Sequence, residues 1–319
     1  TKMVSKLPLK EGDHFDHQTY ENAKKSFLRV AAERGYFDGA FTCNQVSVDI
    51  DANVADICLV YDAKQRYRFG DVSFPDTVVN ERLLDAMSPI EAGEPFNANK
   101  LLTLRNNLQE SGYFASVSAQ AITSDRENDR VPINVSLDEN LKHRYSAGLG
   151  YGTDTGARMS LGWQNRYVND RGHTISVESR LSQISNRIGA DYKMPFWSEN
   201  IDAVGFNTQY LQEDTDTSES SSIAVGSYYN RMRWGWEETG SIKFLNESFD
   251  VADDSASTSL LIPGIAYART WADDTLYTRH GGRVSMELSG AAEGILSDIS
   301  FTQIVLRGKY IQAFGESSR

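Results

Sequence analysis

Between residues 156 and 194 the chain alternates three times over. Ala157, Met159, Leu161 and Trp163 oppose Arg158, Ser160, Gln164 and Arg166. Ile175, Val177 and Leu181 then oppose Ser176, Glu178 and Arg180, and Ile188, Ala190, Tyr192 and Met194 oppose Arg187, Asp191 and Lys193. Period two predicts strands with one apolar and one polar face. The polar face carries full charges, which a dry sandwich core does not accept unpaired. A sheet that is apolar on the outside and charged on a wetted inside is the pattern of an antiparallel transmembrane β-barrel.

The alternation continues on both sides. From His143, Tyr145, Ala147, Leu149 and Tyr151 alternate with Ser146, Gly148, Gly150 and Gly152. That strand lacks side chains on one face, so it is expected to pair weakly and bend readily. Residues 201–211, 222–231, 236–249, 261–271, 283–290 and 301–314 read as further strands, about ten in all and of barrel-spanning length. Trp163, Tyr167, Trp197, Trp234, Trp236 and Trp271 stand at strand ends, as an aromatic girdle at the headgroup level requires. With Gly152 ending the first strand on the side far from the modules, the links 212–221 and 250–259 read as long acidic loops on that far side, while 272–282 is long on the near side.

Before residue 143 the periodicity is mixed and a unit repeats. Gly12–His14, Phe15 and Asp16 precede a helical stretch ending in Gly35-Tyr36-Phe37; Gly93-Glu94-Pro95-Phe96-Asn97 precede one ending in Gly112-Tyr113-Phe114. Asp16 and Asn97 suit N-caps, and Gly35 and Gly112 suit the left-handed position past a helix end. Tyr20, Ala23 and Phe27, and likewise Leu101, Leu104 and Leu108, fall on one helical face. Two strands follow each copy, and residues 67–74 and 80–87 supply an opening strand and a short helix to the second. The unit is strand, helix, helix, strand, strand, and the first copy lacks its opening part. The expected organisation is a truncated α+β module at 1–65, a second module at 66–142 and a barrel at 143–319. Phe15, Gly35, Tyr36, Phe96, Gly112 and Tyr113 are the expected packing positions of the modules. An open sheet edge in such a module could take an extended client strand.

Composition narrows the classes. The net charge is −12, with no basic stripe to neutralise phosphates, which argues against nucleic acid. No run reaches the ~18 apolar residues of a membrane helix, so a membrane route must be a closed barrel. Residues 1–4 do not open a secretory signal, since no apolar core follows a basic segment. Cys43 and Cys58 flank a turn near residues 51–53; a turn there leaves the thiols several residues out of register, and two buried structural thiols are expected rather than a disulfide.

Three chemistries can be weighed. A ten-stranded barrel protease would need Asp and His at the external rim. Asp253 and Asp254 fall on the far side, whereas His173, His280, Asp273 and Asp274 fall on the near one, so no rim dyad forms across those sets. His14 and His17 have helical ligand spacing but no third ligand nearby. The acidic segment 213–222 reads as a solvated loop. No catalytic residue, cofactor or metal is expected.

The repeated modules with Gly-Tyr-Phe, the run Arg66-Tyr67-Arg68-Phe69-Gly70-Asp71-Val72 and the opening strand Gly148-Leu149-Gly150-Tyr151 together resemble the POTRA-plus-barrel outer-membrane assembly family of bacteria. Residues 66–74 and Tyr192-Lys193-Met194-Pro195 are similar to the outer-membrane subunit of the translocation and assembly module. The resemblance implies a bacterial outer-membrane location with periplasmic POTRA modules, and help with inserting or translocating client proteins such as autotransporters. It also implies a TamB-like partner anchored in the inner membrane, contact with outer-membrane lipid and a link to lipid traffic. A lateral gate carries over onto Tyr145, Gly148, Leu149, Gly150 and Tyr151. Family barrels have about sixteen strands, so this chain is expected to be a piece; the family's Val-Arg-Gly-Tyr-like loop is lacking, and Leu306-Arg307-Gly308-Lys309-Tyr310 falls inside a strand. A passive pore or a two-partner secretion transporter remains the alternative.

Overall fold

Residues 10–126, 128–153, 156–196, 202–215, 218–251, 254–274 and 277–313 are described in the computed structural model. Two compact units emerge. The first holds the described part of 1–77 together with 87–139; the second holds 78–86 and the described part of 140–319.

The first unit opens with α1 (His17–Glu33) and the hairpin β1 (Ala40–Asp49) and β2 (Val54–Asp62). Asp16 caps α1, its carboxylate accepting from the Thr19 N–H at 2.7 Å, which satisfies one of the helix's orphan donors. Past the other end, Gly35 takes φ +85°, a conformation that costs a glycine little. Tyr20 and Ala23 are buried on one face of α1. One turn on, Phe27 meets Phe41 and Tyr61 at ring separations of 5.8 and 4.8 Å, fixing the helix on the hairpin. Among the described residues β1 and β2 form a sheet of two strands.

That hairpin corrects one expectation: Cys43 and Cys58 form a disulfide. The Asp49 carboxylate accepts from the N–H groups of Asp51 and Ala52, tightening the turn so that Asp49 pairs with Val54. With this register Cys43 lies opposite Val60, and Cys58 is its diagonal neighbour on the same face, Cα to Cα 5.8 Å. That separation lies inside the range a disulfide spans. Nor is the site buried, since Cys58 is exposed.

The second repeat runs β3 (Arg68–Ser73), α2 (Glu81–Met87), α3 (Ala98–Glu110), β4 (Phe114–Ala121) and β5 (Arg130–Glu139). Its sheet has the order β3-β5-β4, with β3 parallel and β4 antiparallel to β5. A parallel neighbour needs a long crossover, which the intervening helices supply. Phe69, Leu104, Leu108, Val131, Ile133 and Val135 are buried there. Asn97 caps α3 as the repeat predicts, accepting from the Asn99 N–H at 3.0 Å.

In the second unit ten strands follow in order: β6 (His143–Gly152), β7 (Gly156–Asn165), β8 (Thr174–Ser182), β9 (Ser185–Phe196), β10 (Asp202–Thr215), β11 (Ser218–Arg233), β12 (Trp236–Val251), β13 (Asp254–Ala272), β14 (His280–Ala291) and β15 (Phe301–Gln312). Each pairs antiparallel with the next, giving one ten-stranded open sheet with β6 and β15 at its edges. The sheet is an incomplete barrel wall. Register carries the apolar side across it without a slip: Leu149 faces Met159, Met159 faces Leu181, Ile188 faces Tyr210, Tyr210 faces Ile223, and at the other end Ile265 faces Leu288 and Leu288 faces Ile304. A slip of one residue would turn a strand's entire apolar set inward, so an oily surround fixes the register.

The far-side links differ from expectation. Residues 212–215 and 218–221 pair strand to strand rather than looping, as do 248–251 with 254–257. Residues 212–215 and 218–221 are polar on both faces, so burial gives no signal there and backbone pairing prolongs those strands; in the second extension Phe249 pairs with Ala256. On the other side of β13 the ladder to β14 stops at Gly264, next to Pro263, which has no N–H to donate. Beyond it the 292–300 loop takes over: Ser297 Oγ and the Asp298 carboxylate accept from the Leu261 and Ser259 N–H groups.

Candidate functional site

Strand β6 pairs with β7 at one edge of the described sheet, as β15 pairs with β14 at the other. Past Arg144 and Ser146 the polar face of β6 is glycine alone: Gly148 lies opposite Ser160, Gly150 opposite Arg158 and Gly152 opposite Gly156. A methyl group at Gly150 would touch nothing, and one at Gly148 only the movable Ser160 hydroxyl. Crowding therefore does not require these glycines. Their effect is to remove cross-strand side-chain pairs, the unit of sheet stabilisation. On the apolar face Tyr145, Leu149 and Tyr151 stand 74, 88 and 78% exposed. The five gate positions read from sequence thus share one edge strand, with its outer backbone row unpaired among the described residues.

Two of the module packing positions, Gly35 and Phe96, meet at the junction of the two repeats, inside the first unit. Tyr67 donates its N–H to the Gly35 carbonyl at 2.8 Å, and Phe96 donates its own to the Tyr67 carbonyl at 3.0 Å. A Cβ on Gly35 would meet that of Phe96 at 2.7 Å, so the close approach as well as the positive φ demands glycine. Phe37 packs edge-on against Phe96 at 5.0 Å. Polar bonds complete the joint: Asp38 accepts from the Tyr67 hydroxyl at 2.5 Å and from Arg126 at 2.6 Å, and Arg66 donates to the Arg34 and Phe96 carbonyls. The Tyr67 hydroxyl and the Arg126 guanidinium hold the Asp38 carboxyl below its ordinary value. Tyr67 belongs to the Arg66–Val72 run read from sequence, whereas Asp38 and Arg126 carry no motif and were not singled out there. Of the remaining packing positions, Tyr113 is buried, Phe15 and Tyr36 are half-buried, and Gly112 takes φ +78° past α3.

The girdle residues separate. Trp163 lies on the apolar face near the end of β7, hydrogen-bonded to His143. Tyr167 donates to the Asn140 carbonyl at 3.0 Å, bracing the entry to β6. Trp234 sits in the β11–β12 turn, Trp236 and Trp271 lie on the apolar face of β12 and β13, and Trp197 is outside the described residues. The near-side loop brings Asp273 to His280, at 3.5 Å. That carboxylate is already engaged by the N–H groups of Asp274, Arg279 and His280, which hold its pKa down to about 2. It pins a turn. Asp253 is outside the described residues.

The polar face differs along its width. Glu287 lies by Arg307 and Glu237 by Arg283, each at 3.9 Å. Arg180 instead lies directly opposite Arg187, with Glu178 3.5 Å from Arg180. On β9 and β11, Asp191 accepts from the Tyr228 hydroxyl, whose ring lies over Gly205 in the intervening strand. A Cβ on Gly205 would clash with that ring, so the glycine makes room for a bridge spanning three strands.

Comparison with known proteins supplies the frame. Residues 67–140 match the POTRA family, described as a surface antigen variable number repeat. The chain is 19% identical over 256 residues to the outer membrane protein assembly factor BamA of Buchnera aphidicola subsp. Acyrthosiphon pisum (strain APS), covering 75% of this chain and 41% of that protein. Among solved structures, BamA from Haemophilus ducreyi lacking POTRA domains 1–3 superposes with a TM-score of 0.73 at 13% identity, over 96% of this chain and 63% of that one. CdiB from Acinetobacter baumannii gives 0.54 at 12% identity, over 97% and 60%. The chain thus spans under two thirds of the length of these relatives. Residues 67–140 are a POTRA domain, and the strands that follow have the fold of the BamA barrel, the architecture of an outer-membrane protein with periplasmic POTRA domains.

Proposed function

We propose that this chain is the central part of an outer-membrane assembly factor of the Omp85 type, working as TamA-like proteins do, rather than an enzyme. The observation that carries the reading is β6, whose polar face is glycine at 148, 150 and 152, so that few side-chain pairs hold it to a neighbour. In lipid an unpaired backbone group costs several kcal/mol, so a strand that releases its neighbour easily offers donors and acceptors to an incoming client strand. Addition of that strand satisfies both partners. The outer edge of β4 offers the same pairing outside the membrane, suited to an extended client or a TamB-like partner. Autotransporter-like chains are the client class this reading favours, and lipid moving between membranes could follow the same seam.

The test is a cysteine pair joining β6 to the closing strand of the full-length protein. The seam predicts that the oxidised lock abolishes client insertion and that reduction restores it. Insertion that persists in the locked protein would sink the gate. A steady conductance indifferent to the lock would favour a passive pore or two-partner secretion transporter.

A further inference from the structure

The near-side rim of β11–β13 carries cations on the wrong face for a membrane wall. Register places Arg233 with Tyr229 on the apolar side of β11, and Arg269 with Ile265 and Tyr267 on that of β13. At mid-depth an arginine facing lipid is strongly disfavoured; at the interface the penalty nearly vanishes. Arg233 is the last residue of β11 and Arg269 lies three residues from the end of β13, so both stand at the rim.

Each cation is set against an indole rather than a carboxylate. The Arg233 guanidinium lies 4.1 Å from the centre of the Trp234 ring, and that of Arg269 lies 5.7 Å from the Trp236 ring. Arg233 pairs with Trp236 across the hairpin, and Glu237 pairs with Ala268, which brings Arg269 level with Trp236. The rim therefore reads Trp234, Arg233, Trp236, Arg269 as an alternating row. Arg231 differs, lying opposite Glu238. Neither Arg233 nor Arg269 has a carboxylate within ion-pair distance among the described residues, whereas Arg283 and Arg307 on the polar face do. A second observation points outward too. Trp234 adopts φ +51° in the two-residue turn with Gly235 and stands 80% exposed. A bulky residue with positive φ is a conformational outlier, held here with its ring exposed.

We propose that this row seats the phosphate of an anionic glycerophospholipid in the periplasmic leaflet. The planar guanidinium presents a fork that matches a phosphodiester. The indoles flank the glycerol and ester region, where amphipathic rings settle. The site rests on the apolar face meeting lipid and is independent of the gate.

The experiment uses the full-length protein in nanodiscs holding equal phosphatidylglycerol and phosphatidylethanolamine, with retained lipid counted by native mass spectrometry. Phosphatidylglycerol should be retained over phosphatidylethanolamine on the order of fivefold, as expected for cations near a lipid surface. R233Q/R269Q should bring that ratio to one, R233K/R269K should leave it intermediate, and R283Q/R307Q should leave it unchanged. Equal retention by the unaltered protein, or a preference that survives R233Q/R269Q, would overturn the site. So would complete displacement by excess glycerol phosphate, which would mean a phosphate site without a lipid seat. The lysine pair keeps the charge, so it tests the site even if the glutamine pair folds poorly.

Discussion

The POTRA repeat and the strand array use the same alternation against opposite solvents. In the repeat, Phe69, Val131, Ile133 and Val135 point into a core and are almost fully buried. In the array, Phe206, Ile223, Ile242 and Ile304 point away from the protein and are 51, 54, 54 and 64% exposed. From residue 140 onward, Ala203 and Ile262 are the buried hydrophobic residues among those described. One region is held by packing its apolar faces on each other; the other needs lipid to do that work, and its internal order comes from register. Alternation predicts a strand, then, but which side counts as inside depends on what lies beyond the sheet.

The largest break in that comparison should come from the packed core. Phe69→Ala should cost about 3–5 kcal/mol, read from urea unfolding of the modules; a loss below about 1 kcal/mol would mean the repeat is not packed as described. Next is the lipid-facing wall. Val225→Arg near the middle of β11 should cost about 2–4 kcal/mol in folding into vesicles, while Ala224→Arg on the wetted face should cost far less. Equal penalties would erase the distinction between the faces. The first hairpin is an intermediate case, a two-stranded sheet with half-exposed faces. Such a pair is marginal without a staple, and replacing Cys43 and Cys58 by alanine should lower stability by about 2–3 kcal/mol, seen as a lower midpoint that reductant reproduces in the unaltered protein.

The smallest effect is electrostatic. Asp38 has its folded pKa held below 3.8, so its contribution is complete above that value and lost as pH falls through the lower folded value. Asp38→Asn should therefore lower the neutral-pH midpoint slightly and flatten the acid limb of module stability to the same small extent, because the group is exposed and screened. An unchanged acid limb would show that the Tyr67 and Arg126 bonds do not act on it.

Much of this was legible in the chain. Asp16 and Asn97 announce helix starts because a short acceptor is needed there, and Gly35 and Gly112 announce the ends because they accept positive φ. The ten strands follow from side-chain period, since their apolar faces meet lipid. The misses share a cause. The Cys43–Cys58 bond depends on a turn tightened by Asp49 and a diagonal neighbour relation, and a register offset of one or two residues leaves no mark on composition. The strands run on past Leu211 and Phe249 because hydrogen bonding between strands is indifferent to side-chain polarity. The Asp38–Tyr67–Arg126 joint unites residues far apart in the chain with no local pattern among them.

Sequence by itself determined the element types, the helix ends, the repeat and the two faces of the wall, because each depends on neighbours within a few positions along the chain. Tertiary structure decided the register across ten strands, the pairing of the two cysteines, the joint between the modules and the row of arginines and tryptophans at the rim. Those depend on which strand lies beside which and how far each is shifted. That information resides in the backbone pairing of distant segments, where a displacement of one residue exchanges the lipid face for the water face.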